Sequence, residues 1–195
     1  RPVATVPPLK RAPQLDGTLG GEEGSGSAAV TCLLEQRRGE RATDQSTFYL
    51  GHADGHLYVA MDGEMTRLAR TRTEQVAMGG FLRSTRTDHD QDVDADDAVE
   101  MVIAPRFWSG EPWTEYRMVA NKSDVRYDYY RSKDDLKLAW DPQWDVASSV
   151  DQHGWRFEAR IPLDAFGVSA PKPGDEWGLE LVRIWKKLKE QWDVW

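Results

Sequence analysis

The chain has 195 residues, of which 30% are charged and 39% hydrophobic, and its formal net charge is −8. The length allows one well-buried domain, and we predict a single domain over residues 1–195. A mean hydropathy of −0.66 and the lack of an apolar run of bilayer length exclude a membrane span. The acidic balance argues against a nucleic-acid partner, because phosphate binding needs a basic surface. It suits a neutral ligand, or a cation held among carboxylates.

The first half of the chain predicts a proline-rich extended segment, a turn at Asp16-Gly17 and then short strands. Strands are predicted over residues 29–36, 47–51 and 56–62, and the Asp54-Gly55 turn makes the last two a hairpin. The single cysteine, Cys32, lies in an apolar run and is predicted to be a buried small side chain. Residues 63–93 have no apolar period, which predicts a long surface excursion.

Residues 94–104 change abruptly from an acidic loop to an apolar strand. Val99, Met101 and Ile103 alternate with their neighbours, which predicts that they point into the core. Glu100 is the only charge within the apolar run. The second half continues with predicted strands over residues 115–120, 125–130, 145–150, 155–161 and 177–185.

Trp155, Phe157 and Trp177 are predicted to join the same core. A single helical turn is predicted over residues 162–167, between Pro162 and Gly167. About nine or ten short strands with almost no helix predict an all-β fold. The fold class is an antiparallel β-sandwich of the immunoglobulin-like or jelly-roll-like type.

Carboxylates crowd the loop before the central strand. Such a density of charge repels itself unless water solvates it or a cation bridges it. Two interpretations stay open, a solvated acidic loop and a calcium site, and calcium would be the only cofactor. The candidate metal ligands are Asp88, Asp90, Asp92, Asp94, Asp96 and Asp97.

Nine tryptophans exceed what one sandwich core usually holds, and this excess points to stacking surfaces for flat apolar faces of ligands. Trp113 lies in a predicted Gly/Pro loop over residues 105–113, where it either packs across the sheet end or contacts a ligand. Arg117, on the strand after Glu100, either pairs with that glutamate or donates to ligand hydroxyls.

Four sequence pieces occur in an order that resembles a known family. They are Leu15-Asp16-Gly17, Leu57-Tyr58-Val59-Ala60, Asp96-Asp97-Ala98-Val99-Glu100-Met101, and Gly154-Trp155-Arg156-Phe157-Glu158 with the segment that continues through Trp177-Gly178 to Arg183. Together they resemble the family 9 carbohydrate-binding modules and the related DOMON-like sandwiches over nearly the whole chain.

This resemblance implies a sandwich that binds sugars, often at chain ends, with structural calcium in some members. Two tryptophans of the family clamp a sugar ring, and an acidic side chain at the position of Glu100 reads its hydroxyls. Asp94 stands where the first clamp tryptophan would lie, and Trp192 or Trp195 is nearest to the second. Trp113 would partly replace the missing partner.

The function predicted from the sequence is therefore a non-catalytic carbohydrate-binding module with a saccharide ligand. It would belong to a larger secreted carbohydrate-active or surface protein, and would be extracellular, periplasmic or at the cell surface. The ligand-binding candidates are Glu100, Arg117, Trp113, Trp192 and Trp195.

Three alternatives stay open. One is a haem-binding, electron-transfer DOMON-like domain with a methionine and a histidine as axial ligands. Another is a purely structural domain that interacts with other domains of a parent protein. An enzyme is disfavoured, because the sequence has no Gly-x-Ser-x-Gly motif and its four histidines are isolated from any candidate nucleophile.

Overall fold

The computed structural model describes residues 2–20, 25–65, 82–90, 93–105, 113–133, 135–151, 154–169, 171–186 and 191–195. Within these ranges the regular elements are strands and two short 3-10 helices, at Val93–Ala95 and Leu163–Phe166. The strands are β1 (Ala28–Val30), β2 (Leu34–Glu35), β3 (Ser46–Ala53), β4 (His56–Glu64), β5 (Ala98–Ala104), β6 (Thr114–Asn121), β7 (Arg126–Ser132), β8 (Leu136–Lys137), β9 (Asp145–Val150), β10 (Gly154–Pro162), β11 (Gly178–Trp185) and β12 (Gln191–Val194).

The strands form two sheets whose neighbours pair antiparallel. The smaller sheet has five strands in the order β1-β3-β4-β10-β9. The larger sheet has seven, in the order β2-β12-β11-β5-β6-β7-β8. The predicted all-β antiparallel sandwich is confirmed.

The core lies between the two sheets and contains the residues that the alternation predicted. Val99, Met101 and Ile103 of β5 are at most 2% exposed, and Trp155 and Phe157 of β10 are fully buried against them. Burying each such side chain stabilises the fold by about 1.5–3 kcal/mol. Trp177 is only partly buried, but it packs against this core as predicted.

The predicted strand over residues 29–36 is two strands in two different sheets. Cys32, between β1 and β2, has a φ of 67°, a left-handed conformation that ends the first strand and redirects the chain. This turn leaves Cys32 exposed and gives the buried position to Leu33. The predictions of one continuous strand and of a buried cysteine were wrong, because hydropathy does not reveal a backbone reversal inside an apolar run.

The helical turn predicted after β10 is confirmed as the 3-10 helix Leu163–Phe166, closed by Gly167 at a φ of 61°. The short strands β8 and β12 were not predicted. Each has no more than four residues, too few for a period to show. The surface excursion predicted over residues 63–93 lies largely outside the described residues. No helix among those described is both long and apolar enough to cross a membrane.

Two sequence pieces of the family resemblance meet on the outside of the smaller sheet. Glu158 of β10 accepts hydrogen bonds from the backbone N–H of Asp16 at 3.0 Å and of Gly17 at 2.6 Å. Gly17 has a φ of 75°, and a Cβ there would lie 2.9 Å from the carbonyl carbon of Ser148. The turn therefore needs glycine, and a buried carboxylate fixes the turn against the sheet.

Candidate functional site

The face of the larger sheet that points away from the core carries most of the predicted ligand residues. Side chains alternate along β5, so Glu100 and Val102 point opposite to the core residues Val99, Met101 and Ile103. We call this face the outer face. A second apolar cluster covers part of it, formed by Val93, Ala98, Val119, Val125, Val182 and Ile184.

Glu100 and Arg117 form an ion pair on the outer face, with Arg117 Nη1 donating to Glu100 Oε1 at 2.7 Å. The charges continue across the sheet, because Glu115 Oε2 lies 3.7 Å from Arg117 Nη2 and 3.2 Å from Arg131 Nη2. Arg131 in turn has its Cζ 5.5 Å from the ring centroid of Trp113. The result is a ladder of alternating charge that runs from β5 across β6 to β7.

Arg117 is the more accessible member of the pair. Its side chain is 25% exposed, whereas that of Glu100 is 10% exposed. Burial alone would lower the pKa of Arg117, but the charge of Glu100 and other nearby negative groups raise the pKa above its usual value. Glu100 therefore orients a permanently charged donor, and the guanidinium is the group better placed to meet a ligand hydroxyl.

Two tyrosines flank the ion pair on the β7 side. Tyr127 pairs with Val119, which pairs with Glu100, and Tyr129 pairs with Arg117. The tyrosine rings lie 5.4 Å apart and both side chains are partly exposed. Neither tyrosine was among the ligand residues predicted from the sequence, although their alternation around Asp128 places them on one face of a strand.

Trp192 lies on the other side of the ion pair. It sits on β12 opposite Ile184, two strands from Glu100, and belongs to the outer face. Lys186 Nζ lies 4.4 Å and Arg37 Cζ 5.4 Å from the Trp192 ring centroid. A saccharide that stacks on this ring must displace or share these cation–π contacts, which cost about 0.5–1 kcal/mol to lose at an exposed site.

The structure separates Trp195 and Trp113 from this arrangement. Trp195 packs against the core between the sheets, on the side opposite to Glu100. Trp113 precedes β6 and comes eight residues before Asn121. Asn121 pairs with Ala98, Ala98 with Ile184 and Ile184 with Trp192, so Asn121 and Trp192 lie in the same row across the sheet. Eight strand residues span about 26 Å, so Trp113 and Trp192 lie at opposite ends of the face and do not clamp one ring.

Asp96 and Asp97 are buried, and their carboxylates accept hydrogen bonds from protein donors. Asp96 accepts from the backbone N–H of Thr85 at 2.8 Å and of Arg86 at 3.0 Å, and from the amide of Asn121 at 3.0 Å. Asp97 accepts from the backbone N–H of Arg83 and of Lys186. These two residues hold the loop to the sheet, and their carboxylates already have partners without a cation.

Within the described part of the chain, no group of three or more metal-ligating side chains includes Asp96 or Asp97. Asp90 Oδ2 lies 3.1 Å from His89 Nδ1, and Asp88 is exposed. Asp94 lies in the 3-10 helix, but its side chain is outside the described part of the chain, as is all of Asp92. Calcium binding by this loop stays a prediction.

The haem alternative gains no support from the residues that the structure describes. Met61, Met65 and Met118 are fully buried in the core between the sheets. His52 and His89 are exposed at the surface. Met78 and His153 lie outside the described residues.

Comparison with known proteins bears on the fold. No protein-family model and no curated protein matches the chain. Among solved structures, a family 9 carbohydrate-binding module from Caldicellulosiruptor kristjanssonii, in complex with cellotriose, is similar with a TM-score of 0.63. That match has 14% sequence identity and covers 97% of this chain and 82% of the other. The chain shares the fold of this module.

A second solved structure supports the same conclusion. It is a Bacteroides uniformis protein to which carbohydrate binding is provisionally assigned, with a TM-score of 0.61 and 14% identity. The match covers 85% of this chain and 76% of the other. The resemblance to family 9 modules is thus confirmed at the level of the fold.

Proposed function

We propose that the chain is a non-catalytic carbohydrate-binding module that binds a saccharide on the outer face of the larger sheet. The observation that carries the proposal is the Glu100–Arg117 ion pair, flanked by Tyr127 and Tyr129 on one side and by Trp192 on the other. A sugar has apolar C–H faces and a hydroxylated rim, so it needs an aromatic plane beside a charged donor and acceptor.

The spacing of these groups favours an oligosaccharide over a single ring. Tyr127 and Trp192 lie four strands apart, which is about 19 Å across the sheet. One sugar ring cannot touch both, so the two aromatic surfaces would serve different rings of one chain. With one partly occupied tryptophan face and two tyrosines, we expect a weak Kd on the order of 0.1–1 mM.

Truncating the aromatic side chains next to the ion pair should weaken saccharide binding. We expect Tyr129→Ala and Trp192→Ala each to raise the Kd for cellotriose about threefold to tenfold, because each loses one stacking surface. Calorimetric titration measures this change. Trp113→Ala is the matched control, since Trp113 lies on the same face at the far end and should leave the Kd unchanged. Equal effects of all three substitutions, or no heat from any sugar, would contradict the proposed site and favour a purely structural domain.

Glu100→Gln should separate ligand recognition from folding. If Glu100 acts by orienting Arg117, the substitution raises the Kd about tenfold while the melting temperature falls by only a few degrees. Arg117→Lys should have a similar effect, because an ammonium cannot reproduce the guanidinium's donor geometry. A lower melting temperature with an unchanged Kd in the folded fraction would assign the pair to stability alone.

We also propose that this module acts within a larger secreted or surface protein, outside the cytoplasm. The support is the fold that it shares with carbohydrate-binding proteins. Detection of the protein in the medium or the envelope fraction of its source cells tests the location. Incubation with oligosaccharides, followed by an assay for new reducing ends, tests the absence of catalysis.

A further inference from the structure

A histidine and two aspartates from separate segments converge beside strand β7. They are His89 of the loop before β5, Asp128 of β7 and Asp141 of the segment before β9. One ligand atom from each residue lies within 4.8 Å of those of the other two. His89 and Asp141 are exposed while Asp128 is buried, so the group joins two surface side chains to one buried carboxylate.

Asp128 has a carboxylate oxygen without a hydrogen-bond partner. The residue is 0% exposed, and its Oδ2 accepts a hydrogen bond from Trp144 Nε1 at 2.8 Å. Its Oδ1 is buried and makes no hydrogen bond within the described structure. Burial raises the pKa of Asp128 to about 6, against the opposing effect of the Trp144 hydrogen bond. A nearby cation would stabilise the ionised form of a buried carboxylate that has one oxygen without a hydrogen bond.

The loop that carries His89 is fixed to the same strand. The backbone N–H of Asp90 donates to the carbonyl of Arg126 at 3.0 Å, at the start of β7. His89 Nδ1 lies 3.1 Å from Asp90 Oδ2. When Nδ1–H donates to this carboxylate, Nε2 keeps its lone pair, which is the arrangement that orients many metal-binding histidines.

We propose that His89, Asp128 and Asp141 bind one zinc ion through a ring nitrogen and two carboxylate oxygens. A mixed nitrogen and oxygen set suits zinc, whereas calcium takes oxygen ligands only. Ligands about 2.1 Å from a tetrahedral zinc lie about 3.4 Å apart, so the present separations of up to 4.8 Å would shorten by at most about 1.4 Å on binding. Because His89 and Asp141 are exposed, their side chains have room to make this movement.

The site would join the loop before β5, strand β7 and the segment before β9 at one edge of the sandwich. It is separate from the outer face, because Asp128 alternates with Tyr127 and Tyr129 and therefore points to the other side of the sheet. Its role would be to hold these three segments together, and saccharide binding would not need it.

The test is calorimetric titration of the chelator-stripped full chain with Zn²⁺, with Ca²⁺ and Mg²⁺ as separate titrants. We expect one Zn²⁺ per chain in the wild type, and at least a tenfold weaker Kd in His89→Ala and in Asp128→Asn. The asparagine keeps an acceptor for Trp144, so this variant should fold. His52→Ala, which removes an exposed histidine from β3, is the control and should bind as the wild type does.

Two further readouts make the outcome unambiguous. Co²⁺ bound at the site should give visible absorption in the wild type that is absent in His89→Ala. Saturating Zn²⁺ should raise the melting temperature of the wild type and of His52→Ala by several degrees, but not that of His89→Ala. The proposal is overturned if the wild type binds no Zn²⁺, or if His89→Ala binds it within twofold of the wild type.

Discussion

Replacing Arg183 by methionine should lower the free energy of unfolding by about 3–5 kcal/mol, the cost of removing one partner from a buried charged network. Arg183 lies on β11 and is 0% exposed. Its Nη1 donates to Ser46 Oγ at 2.7 Å and to the Glu64 carbonyl at 2.9 Å. Its Cζ lies 3.8 Å from the ring centroid of Trp185.

The positive charge of Arg183 offsets the negative charges of the buried carboxylates around it. Burial lowers its pKa to about 9, while Asp44, Asp193 and Asp97 act in the opposite direction, so the guanidinium stays protonated at neutral pH. These three aspartates are each at most 2% exposed. Methionine fills similar volume but leaves their negative charges without a buried cation.

Urea unfolding of wild type and Arg183→Met at pH 7 measures the difference directly. For a chain of this size, a loss of this magnitude lowers the melting temperature by roughly 10 °C. The control is Arg160→Met, because Arg160 pairs with Asp145 at the surface and the two side chains are 45% and 51% exposed. The control should cost less than about 1 kcal/mol. Equal costs in the two variants would show that burial of Arg183 adds nothing.

The buried arginine shows where prediction from the sequence stops. The strand at residues 178–185 and its core-facing positions follow from alternation, but alternation alone predicts an apolar side chain at position 183. Room for the guanidinium comes from Gly63 on the other sheet, where a Cβ would lie 2.8 Å from Arg183 Nη1. No local pattern connects residues that are 120 positions apart, so only the packed sandwich reveals this charge network.

The candidate site, like the core around Arg183, could be predicted from the sequence only in part. Glu100 and Arg117 lie on successive strands, and their pairing was one of the two interpretations that the sequence allowed. In the structure both side chains point to the outer face and form an ion pair. The choice between Trp192 and Trp195 depended on which of the two side chains points to the outer face, and β12 is too short for its sequence to show this. The distance between Trp113 and Trp192 depends on strand order across the sheet, which the sequence does not contain.

Asp96→Asn should lower the free energy of unfolding at pH 7 by about 3 kcal/mol, because one of the two accepting carboxylate oxygens becomes an NH2 group that cannot accept a hydrogen bond. Asp96 is 0% exposed and takes donors from Thr85, Arg86 and Asn121. An asparagine would turn its own N–H group toward some of these donors. The loop before β5 would then lose one of its two attachments to the sheet, and the bonds to Asp97 would remain.

The same substitution should change the response to acid. Burial alone would raise the pKa of Asp96, but hydrogen bonds from Arg86, Thr85 and Asn121 outweigh it and lower the pKa below its ordinary value. A carboxyl whose pKa is lower in the folded state stabilises the fold above the unfolded-state pKa of about 3.9, and this contribution is lost as the pH falls through the folded-state pKa. The stability gap between wild type and Asp96→Asn should therefore narrow as the pH drops below about 4.

Urea unfolding of both proteins at pH 7, 5, 4 and 3 tests this expectation, with Asp164→Asn as a control at an exposed carboxylate. A gap that stays constant with pH would mean that the carboxylate is not the source of the stability. Repeating the pH 7 measurement with calcium and with EDTA also tests the predicted calcium loop. If Asp96 ligates calcium, the wild type gains stability from calcium and the variant does not. If its carboxylate serves only the protein donors that it contacts, calcium leaves the gap between the two proteins unchanged.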